Sequence, residues 1–472
     1  MRIQWSPGTH LSKKLIANTI PKTFIYLQAL PILLATLFAL IGYPPAAKGL
    51  VGWGEDPYFN LWTLEQVWKN LSRLGIWKLF SDEFWKTPIF FPFPTTLAFS
   101  ENQVMAGLLS WPIRVFTHNG IFAYNLLALF MSLATFFFTQ RWLSSVEVKK
   151  YAAWGGLLFQ ACGWIQDHYA HFQNICIFVF PMALYSWNCL IQKPNYLRAL
   201  ICAFCFGWVI GWNVYYQVFL NFIFAILFTK AFIKQEVRRP LLGFLAVALC
   251  LFEIPLAYRY LELESLMGSL KVPAGEFIYF SASALSFLAH WDAPSFLQKF
   301  FPLYPKVQLS IENVGFIGIT WCVLTFLALR NSKARIYSLI ALFFFWVALG
   351  PHFGLMSLLK FFPGFHATRA IGRIQVLVVL FSLAGVLLYL ETLKPRFQPF
   401  LLCLILLELL PGGLPKHTLV AGGFYNTDPT EFERQLSNIP HTQPLLILPE
   451  VRAELQLSLS RAGNPLFEGY SG

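Results

Sequence analysis

The sequence predicts an all-α membrane protein that crosses the bilayer about eleven times. Of its 472 residues, 57% are hydrophobic and only 12% are charged, and the mean hydropathy is +0.56. So few charges cannot cover the surface of a water-soluble protein of this length. The length therefore indicates many membrane helices rather than several soluble domains.

Eleven apolar segments are the predicted membrane spans. Several are shorter than the roughly 20 residues of an ideal spanning helix, so their boundaries are soft. We interpret the first segment as a retained signal anchor, because its apolar stretch exceeds the h-region of a cleaved signal peptide. In chain order they are residues 24–43, 120–140, 151–165, 173–190, 197–212, 217–231, 241–258, 312–329, 336–350, 374–390 and 397–410.

Basic residues give the chain a net charge of +12 and orient these spans. With the N-terminus in the cytoplasm, every basic cluster between spans falls on the inner side, as the positive-inside rule requires. The short loops at 166–172 and 213–216, which then face outward, contain no Lys or Arg. This distribution argues against a nucleic-acid partner, whose binding surface would concentrate the basic residues on one face.

The outward side then holds three long loops and a tail. We predict a transmembrane domain at residues 1–411, with its first outward loop at 44–119, and a short outward C-terminal segment at 412–472. Within the first loop, residues 57–80 place Leu61 and Trp68 on one helical face and Asn60 and Asn70 on the other. Such a helix is expected to lie in the membrane interface. A second amphipathic helix is predicted at 101–115, opened by the capping-box pattern Ser100-x-x-Gln103.

Several kinds of chemistry are excluded. The chain has no Walker-A loop, dinucleotide-binding glycine pattern, nucleophile elbow or zinc-protease motif. Its eight cysteines all lie in apolar segments without metal-ligand or disulfide spacing. The inner loops are too short to form a nucleotide-sugar-binding domain.

An acidic turn, Gly54-Glu55-Asp56-Pro57, follows the first span on its outward side. Carboxylates at the mouth of a hydrophobic bundle are a candidate site of chemistry. Asp56 followed by proline also suits a helix N-cap, and a carboxylate bound to backbone N–H groups is a weak base. Catalysis and capping both remain open from the residues alone.

The order of several short motifs resembles the GT-C class of membrane glycosyltransferases, in particular a bacterial group within it. These enzymes take a sugar from a polyprenyl-phosphate donor. The matching stretches are Gly54-Glu55-Asp56-Pro57, Phe91-Pro92-Phe93-Pro94 with Ser100-Glu101, Ala123-Tyr124-Asn125, Gly155-Gly156-Leu157, His168-x-x-His171, Glu312-x-x-x-Gly315-Phe-x-Gly318, Arg369-x-x-x-Arg373, Leu446-Ile-Leu-Pro449 and Gly469-Tyr470-Ser471-Gly472.

This resemblance implies a multi-pass enzyme of the bacterial plasma membrane, with Asp56 as the catalytic carboxylate and Glu55 beside it as the fallback base. Its partners would be a polyprenyl-phosphate sugar donor, an acceptor that is a glycan, lipid or protein, and membrane lipids. No cofactor is implied. A divalent cation beside the acid pair remains an open alternative.

Five further residues are candidate substrate-binding groups. Arg369 and Arg373, spaced as neighbours on one helical face, would hold a phosphate by paired hydrogen bonds or else snorkel at a helix end. His168 and His171 would contact sugar or phosphate, ligate a metal, or serve as plain polar loop residues. Glu101 is a weaker candidate, because a carboxylate after a capping serine ordinarily stabilises a helix N-terminus.

Two other functions compete with glycosyl transfer. A transporter or flippase of a lipid-linked substrate would concentrate polar residues in mid-span, where this chain has few, with Glu253 and Asn213 as exceptions. A non-catalytic protein on a GT-C-like fold is the third, because fold does not fix function. The geometry around Asp56 discriminates among the three.

Overall fold

The computed structural model describes residues 22–52, 56–90, 95–169, 171–267, 274–288, 314–353, 359, 361–365 and 368–410. All regular structure in these residues is helical, with short 3-10 turns between the α-helices. The α-helices are α1 (Lys22–Gly42), α2 (Asp56–Leu74), α3 (Asp82–Trp85), α4 (Val104–Thr117), α5 (Gly120–Ser145), α6 (Ala152–Gln160), α7 (Gly163–Asp167), α8 (Val179–Gln192), α9 (Tyr196–Gly207), α10 (Val214–Lys234), α11 (Arg239–Met267), α12 (Ala274–Tyr279), α13 (Ile319–Ala328), α14 (Ser332–Ala348), α15 (Gln375–Leu390) and α16 (Phe397–Leu409).

Each of the eleven predicted spans contains at least one of these helices. In the described part of the chain, five helical stretches are long and apolar enough to cross a membrane: 120–145, 172–192, 214–234, 239–266 and 371–390. Helix α6, by contrast, has only 9 residues, which is about 14 Å at 1.5 Å per residue and less than half of a hydrocarbon core. The molecule is therefore a helical protein with membrane-spanning segments, and the number eleven stays a prediction.

Two stretches in the middle of the bundle are almost completely buried and position the site. All nine residues of α6 are buried, and a side chain at Gly156 would meet the Phe136 carbonyl oxygen of α5 at 2.7 Å. The stretch at 371–390, which includes α15, is buried at every position except Tyr389. The loop after α6 and the residues before α15 are thus held against a rigid core.

The ends of several helices that carry basic clusters meet at one end of the bundle, here called the basic end. Lys333, at the start of α14, pairs with Glu147 after α5 at 2.5 Å. Glu391, after α15, accepts hydrogen bonds from the backbone N–H groups of Lys150 and Tyr151 at 2.5 and 3.2 Å. The convergence of these loops agrees with the predicted topology, and their side of the membrane stays a prediction.

Helix α2 of the first loop is amphipathic as predicted, but protein also covers part of its polar face. Asn60 and Asn70 on the polar face are only 1% and 5% exposed. Asn60 accepts a hydrogen bond from the Gln103 amide, and the Asn70 amide donates to the Phe84 carbonyl at 2.8 Å. Asn60 and Asn70 therefore face protein rather than water, because the chain around α3 and before α4 packs on that part of the helix. The position of α2 in the membrane interface stays a prediction.

The prediction of a capping box at the start of the second loop helix is wrong. Helix α4 begins at Val104 rather than at Glu101, and its preceding residue, Gln103, has a left-handed φ of 49°. The Val104 N–H is accepted instead by the Asn102 side chain at 2.9 Å. Glu101 is therefore released from the helix and points elsewhere.

Some predictions fall on residues outside the described ranges. These are Glu55, the motif at 91–94, Glu312 and the C-terminal segment at 412–472. The boundary at residue 411 stays a prediction.

Candidate functional site

The chain that leads into the acidic turn is fastened by Asn125, a fully buried residue at the start of α5. Its amide oxygen accepts the Val51 N–H at 2.9 Å, and its amide nitrogen donates to the Ala46 and Gly49 carbonyls at 3.0 and 2.9 Å. One buried side chain thus satisfies three backbone groups of a loop, which would otherwise be costly to bury. This fixes the approach to Asp56.

A glycine at the end of this loop allows the backbone to pass close to α2. Gly52 has φ of +119°, and a Cβ there would lie 2.6 Å from Pro57 Cγ and 3.3 Å from the Tyr169 carbonyl oxygen. A larger residue is therefore excluded on both backbone and steric grounds. The contact sets the position of the first turn of α2.

Asp56 is the first residue of α2, so Pro57 occupies the second helical position. The Asp56 carboxylate contacts the Nδ1 atom of His171, and the two side chains are 16% and 17% exposed. Because two acceptors would repel each other, Nδ1 must carry a proton and donate to the carboxylate. A carboxylate that is partly accessible and paired with an imidazole is able to take up a proton from a bound hydroxyl.

The two predicted histidines have different environments. His168 is fully buried and stacks on the Trp164 indole, with ring centroids 3.6 Å apart. Its Nδ1 lies 3.0 Å from the Trp164 carbonyl oxygen. The ring of His168 is 6.3 Å from that of His171. His168 is therefore a packed core residue, whereas His171 reaches the acid.

The phenol of Tyr169, between the two histidines, is not a competing base. Its ring packs against Tyr43 with centroids 5.0 Å apart. Burial raises the pKa of Tyr169 well above its usual value, because the charged phenolate is disfavoured away from water. Tyr169 therefore stays protonated at neutral pH.

Glu101 and Arg373 form a second, more deeply buried charged pair. Arg373 Nη1 lies 3.9 Å from Glu101 Oε1, and the two side chains are 7% and 6% exposed. The other carboxylate oxygen of Glu101 accepts the N–H of Val214, the first residue of α10, at 2.7 Å. The Arg373 guanidinium also lies over the Tyr215 ring, 4.5 Å from its centroid. Glu101 thus links the first loop, α10 and the entrance to α15.

The two arginines do not share a helical face, contrary to the prediction from their spacing. Arg373 lies in a 3-10 helix, Ile371–Ile374, whereas Arg369 precedes it in a bend. The Arg369 guanidinium lies over Phe280, 5.2 Å from the ring centroid. The chain is not α-helical before Gln375, so a spacing of four residues does not bring the two groups together there.

The loop after His171 connects the two charged pairs. The Asn213 amide donates to the Gln173 carbonyl at 2.9 Å and to the Asn174 side chain at 3.2 Å. Asn213 caps α10 directly before Val214, the residue bound by Glu101. The pairs Asp56–His171 and Glu101–Arg373 are therefore joined through the backbone of the loop after His171 and of the start of α10. We call these four side chains together the carboxylate cluster.

Sequence reasoning found the charged members of this cluster but missed the residues that hold it. Asn125 and Asn213 look like ordinary polar residues at helix starts, and their role depends on distant backbone groups. Asn125 stands in the Ala123-Tyr124-Asn125 motif, which does not say what its side chain binds, and an asparagine beside an apolar span suits helix capping. Capping describes Asn213 but not Asn125, which lies inside α5.

Metal ligation and an open cavity were the remaining possibilities at this site. In the part of the chain that the structure describes, no group of three His, Cys, Asp or Glu side chains is arranged to hold a metal ion. Glu55 and the Asp167 side chain lie outside that part. Two grooves, of about 530 and 440 Å³, are lined by none of the six predicted site residues that the structure describes.

Comparison with known proteins gives a structural likeness only. No protein-family model and no curated protein matches the chain. Twelve chains of solved structures are similar to it, among them ArnT from Cupriavidus metallidurans bound to undecaprenyl phosphate. That likeness covers 94% of this chain and 85% of ArnT, at 12% identity and a TM-score of 0.46. At these values the two proteins share only a loosely similar arrangement of helices. Inferences about function must therefore come from the side chains of this chain itself.

Proposed function

We propose that this protein is a membrane glycosyltransferase that moves a sugar from a polyprenyl-phosphate donor to a glycan, lipid or protein acceptor. The observation that carries the proposal is the contact between Asp56 and His171 at the end of the bundle opposite the basic clusters. A buried cluster of carboxylates with histidine and arginine is expensive to maintain in a hydrophobic chain. Catalysis or ligand binding is the ordinary reason for such a cost.

The reaction assigns one role to each partner. An acceptor hydroxyl attacks the anomeric carbon of the donor sugar, and a new C–O bond forms as the bond to the phosphate oxygen breaks. The polyprenyl phosphate leaves with the electron pair of that bond. The proton of the hydroxyl passes to the Asp56 carboxylate, which acts as general base.

His171 is the residue that orients this base. Its donated hydrogen bond to one carboxylate oxygen would hold the carboxylate in a fixed orientation toward the acceptor hydroxyl. Such a bond also stabilises the ionised form of the acid, which is the form that a base requires. Loss of His171 should therefore lower the rate less than loss of Asp56.

Arg369 and Arg373 are the candidates for holding the lipid phosphate. A guanidinium offers a planar pair of N–H groups that matches a phosphate. Arg373, which lies beside Glu101, would also hold the chain before α15 in place. The polyprenyl phosphate of the proposal is the same class of lipid as that bound to ArnT in its solved structure, an agreement on which the proposal does not rest.

The proposal is tested by comparing membranes that lack the protein with membranes that contain it. Mass spectrometry should find a polyprenyl-linked sugar that accumulates without the protein and a glycosylated product that appears with it. Membranes containing the double variant Glu55→Gln/Asp56→Asn should resemble those without the protein, at equal expression. Unchanged product with the double variant would reject Asp56 and Glu55 as the base.

Transport of a lipid-linked substrate is the second candidate, favoured by one observation. Glu253, in the middle of α11, accepts a hydrogen bond from Asn221, whose side chain accepts one from Gln217 at 2.8 Å. Polar chains within a bundle are typical of transporters. Substrate movement across proteoliposomes without a glycosyl product would favour this function over transfer.

A further inference from the structure

A polar groove of about 530 Å³ lies between α2 and α4, away from the carboxylate cluster. Helix α2 contributes its C-terminal half, and α4 contributes its last turn and the residue that follows it. The lining residues are Glu65, Gln66, Trp68, Lys69, Ser72, Arg114, Val115 and His118.

Two hydrogen bonds between tryptophan and serine hold the groove's two walls together. Trp68 Nε1 of α2 donates to Ser110 of α4 at 3.0 Å, and Trp111 Nε1 of α4 donates to Ser72 of α2 at 2.9 Å. The two bonds run in opposite directions between the helices, so neither helix can slide without breaking one. The groove is therefore a fixed feature of the fold.

The groove is positively charged. Lys69, Arg114 and His118 all line it, and within the described residues none of the three has a carboxylate within 4 Å. The acid of the groove, Glu65, has its Oε1 3.0 Å from the position of a Cβ on Gly120, the first residue of α5. Lys69 and Arg114 outnumber this single acid, so the groove keeps a net positive charge that attracts an anion.

The groove opens beside a surface suited to lipid. Val115 and Phe116, next to Arg114, are 43% and 84% exposed. They lie where α4 ends and α5, a membrane-spanning helix, begins at Gly120. A cation flanked by exposed apolar side chains at the end of a spanning helix is placed at the depth of lipid headgroups.

The groove is at the same end of the bundle as Asp56. Asn125, one and a half turns into α5, holds the loop that leads to the acidic turn. Along α2, about 14 Å separate Asp56 from Glu65, at 1.5 Å per residue. The groove and the carboxylate cluster are thus neighbouring but separate sites on one helix.

We propose that this groove binds the phosphate of an anionic lipid headgroup in the leaflet that faces Asp56. The site is distinct from the proposed transfer reaction and does not depend on it. Lys69 and Arg114 would contact the phosphate oxygens, and Val115 and Phe116 would lie against the acyl chains.

The test measures binding of fluorescent phosphatidylglycerol to the full-length protein in nanodiscs of phosphatidylcholine. Wild type should bind it at least about tenfold more tightly than labelled phosphatidylcholine, and Lys69→Gln/Arg114→Gln should remove that preference. Lys69→Gln alone, at an exposed residue, should lower it without risk to folding. Arg73→Gln is the matched control, because exposed Arg73 is on α2, pairs with Glu83 at 2.9 Å and does not line the groove.

Three outcomes of the binding measurements would overturn the proposal, and a fourth comes from competition with inorganic phosphate. They are equal binding of both lipids, an unchanged preference in the correctly folded double variant, and an equal loss with Arg73→Gln. Inorganic phosphate distinguishes a soluble ligand from a lipid. Displacement of the lipid by inorganic phosphate at the lipid's own concentration would assign the groove to a soluble phosphate compound instead. Transfer activity is not part of this readout, so failure here and failure of the proposed function are separate results.

Discussion

The two ends of the bundle use the same kinds of charged pair in opposite environments. At the basic end, Lys333 and Glu147 are 71% and 63% exposed. In the carboxylate cluster, Arg373 and Glu101 are 7% and 6% exposed. Exposed pairs contribute little to stability and need little desolvation. Burying two charges has a desolvation free energy of several kcal/mol per ion, which their mutual attraction only partly offsets.

This difference teaches that charge at the two ends serves different purposes. The basic end needs only positive residues near the membrane, because orientation depends on their number and not on their contacts. The cluster needs particular side chains in particular places, held by Asn125 and Asn213. Substitutions should therefore have large effects in the cluster and small effects at the basic end.

The largest difference is expected between Asp56→Asn and Glu147→Gln, which make the same chemical change. Removing a general base should lower the transfer rate by about 10²- to 10⁴-fold, whereas Glu147→Gln should stay within about twofold of wild type, since it lies far from the reaction. Initial rates with a polyprenyl-linked sugar donor, at equal protein level in proteoliposomes, measure both. Similar rates for the two variants would contradict the assignment of Asp56.

Next in size is the effect of Glu101→Gln on stability. It leaves Arg373 buried beside a neutral amide, which should cost about 3–5 kcal/mol. Glu391→Gln at the basic end is the matched change, because its amide oxygen still accepts the N–H groups of Lys150 and Tyr151. It should cost about 1 kcal/mol or less.

The melting temperatures of these two variants in detergent, monitored by size-exclusion chromatography after heating, measure the difference. The double variant Glu101→Gln/Arg373→Gln should recover part of the loss, because it removes the buried positive charge together with the carboxylate that faces it. A strictly additive double variant would mean that the 3.9 Å pair carries no coupling.

The same contrast explains what the sequence could predict. Apolar segments, basic clusters and the acidic turn are local patterns, and the structure has a helix at each predicted span. Glu101 was undervalued because Ser100-x-x-Gln103 matches a capping box. The tertiary hydrogen bond from Gln103 to Asn60 overrides that pattern and frees Glu101.

The histidines and arginines show a related limit. Spacing places His168 and His171 in one loop and Arg369 near Arg373, but it does not say which side chain turns inward. His168 stacks in the core on Trp164, and Arg369 lies on Phe280 before the helix begins. These positions depend on packing partners. The partner of Arg369 is Phe280, more than 80 residues away in the sequence, so no local pattern can reveal it.

A smaller effect is expected from Gly52→Ala, compared with Gly42→Ala. At Gly52 the left-handed φ costs about 1–3 kcal/mol for a residue with a side chain, and the new Cβ would push Pro57 and with it Asp56. Misplacing a base by less than 1 Å should lower the transfer rate by about tenfold or more. At Gly42 a Cβ meets nothing within 4 Å, so the rate should be unchanged. Equal rates for the two variants would show that Asp56 does not depend on this contact.

The smallest effect is expected from Lys333→Ala at the basic end, and it should depend on pH. The hydrogen bond and charge of Lys333 lower the pKa of the Glu147 carboxyl in the folded protein. Stabilisation from such a group is present above the ordinary pKa of glutamate and is lost as pH falls through the lowered folded value. Because both side chains are well exposed, the melting temperature at pH 7 should hardly differ between the variant and wild type. Any difference should shrink further at acid pH and in 1 M salt. A fall in melting temperature at pH 7 as large as that of Glu101→Gln, and unaffected by salt, would contradict this expectation. It would mean that burial does not distinguish the charged pair of the carboxylate cluster from the charged pair at the basic end.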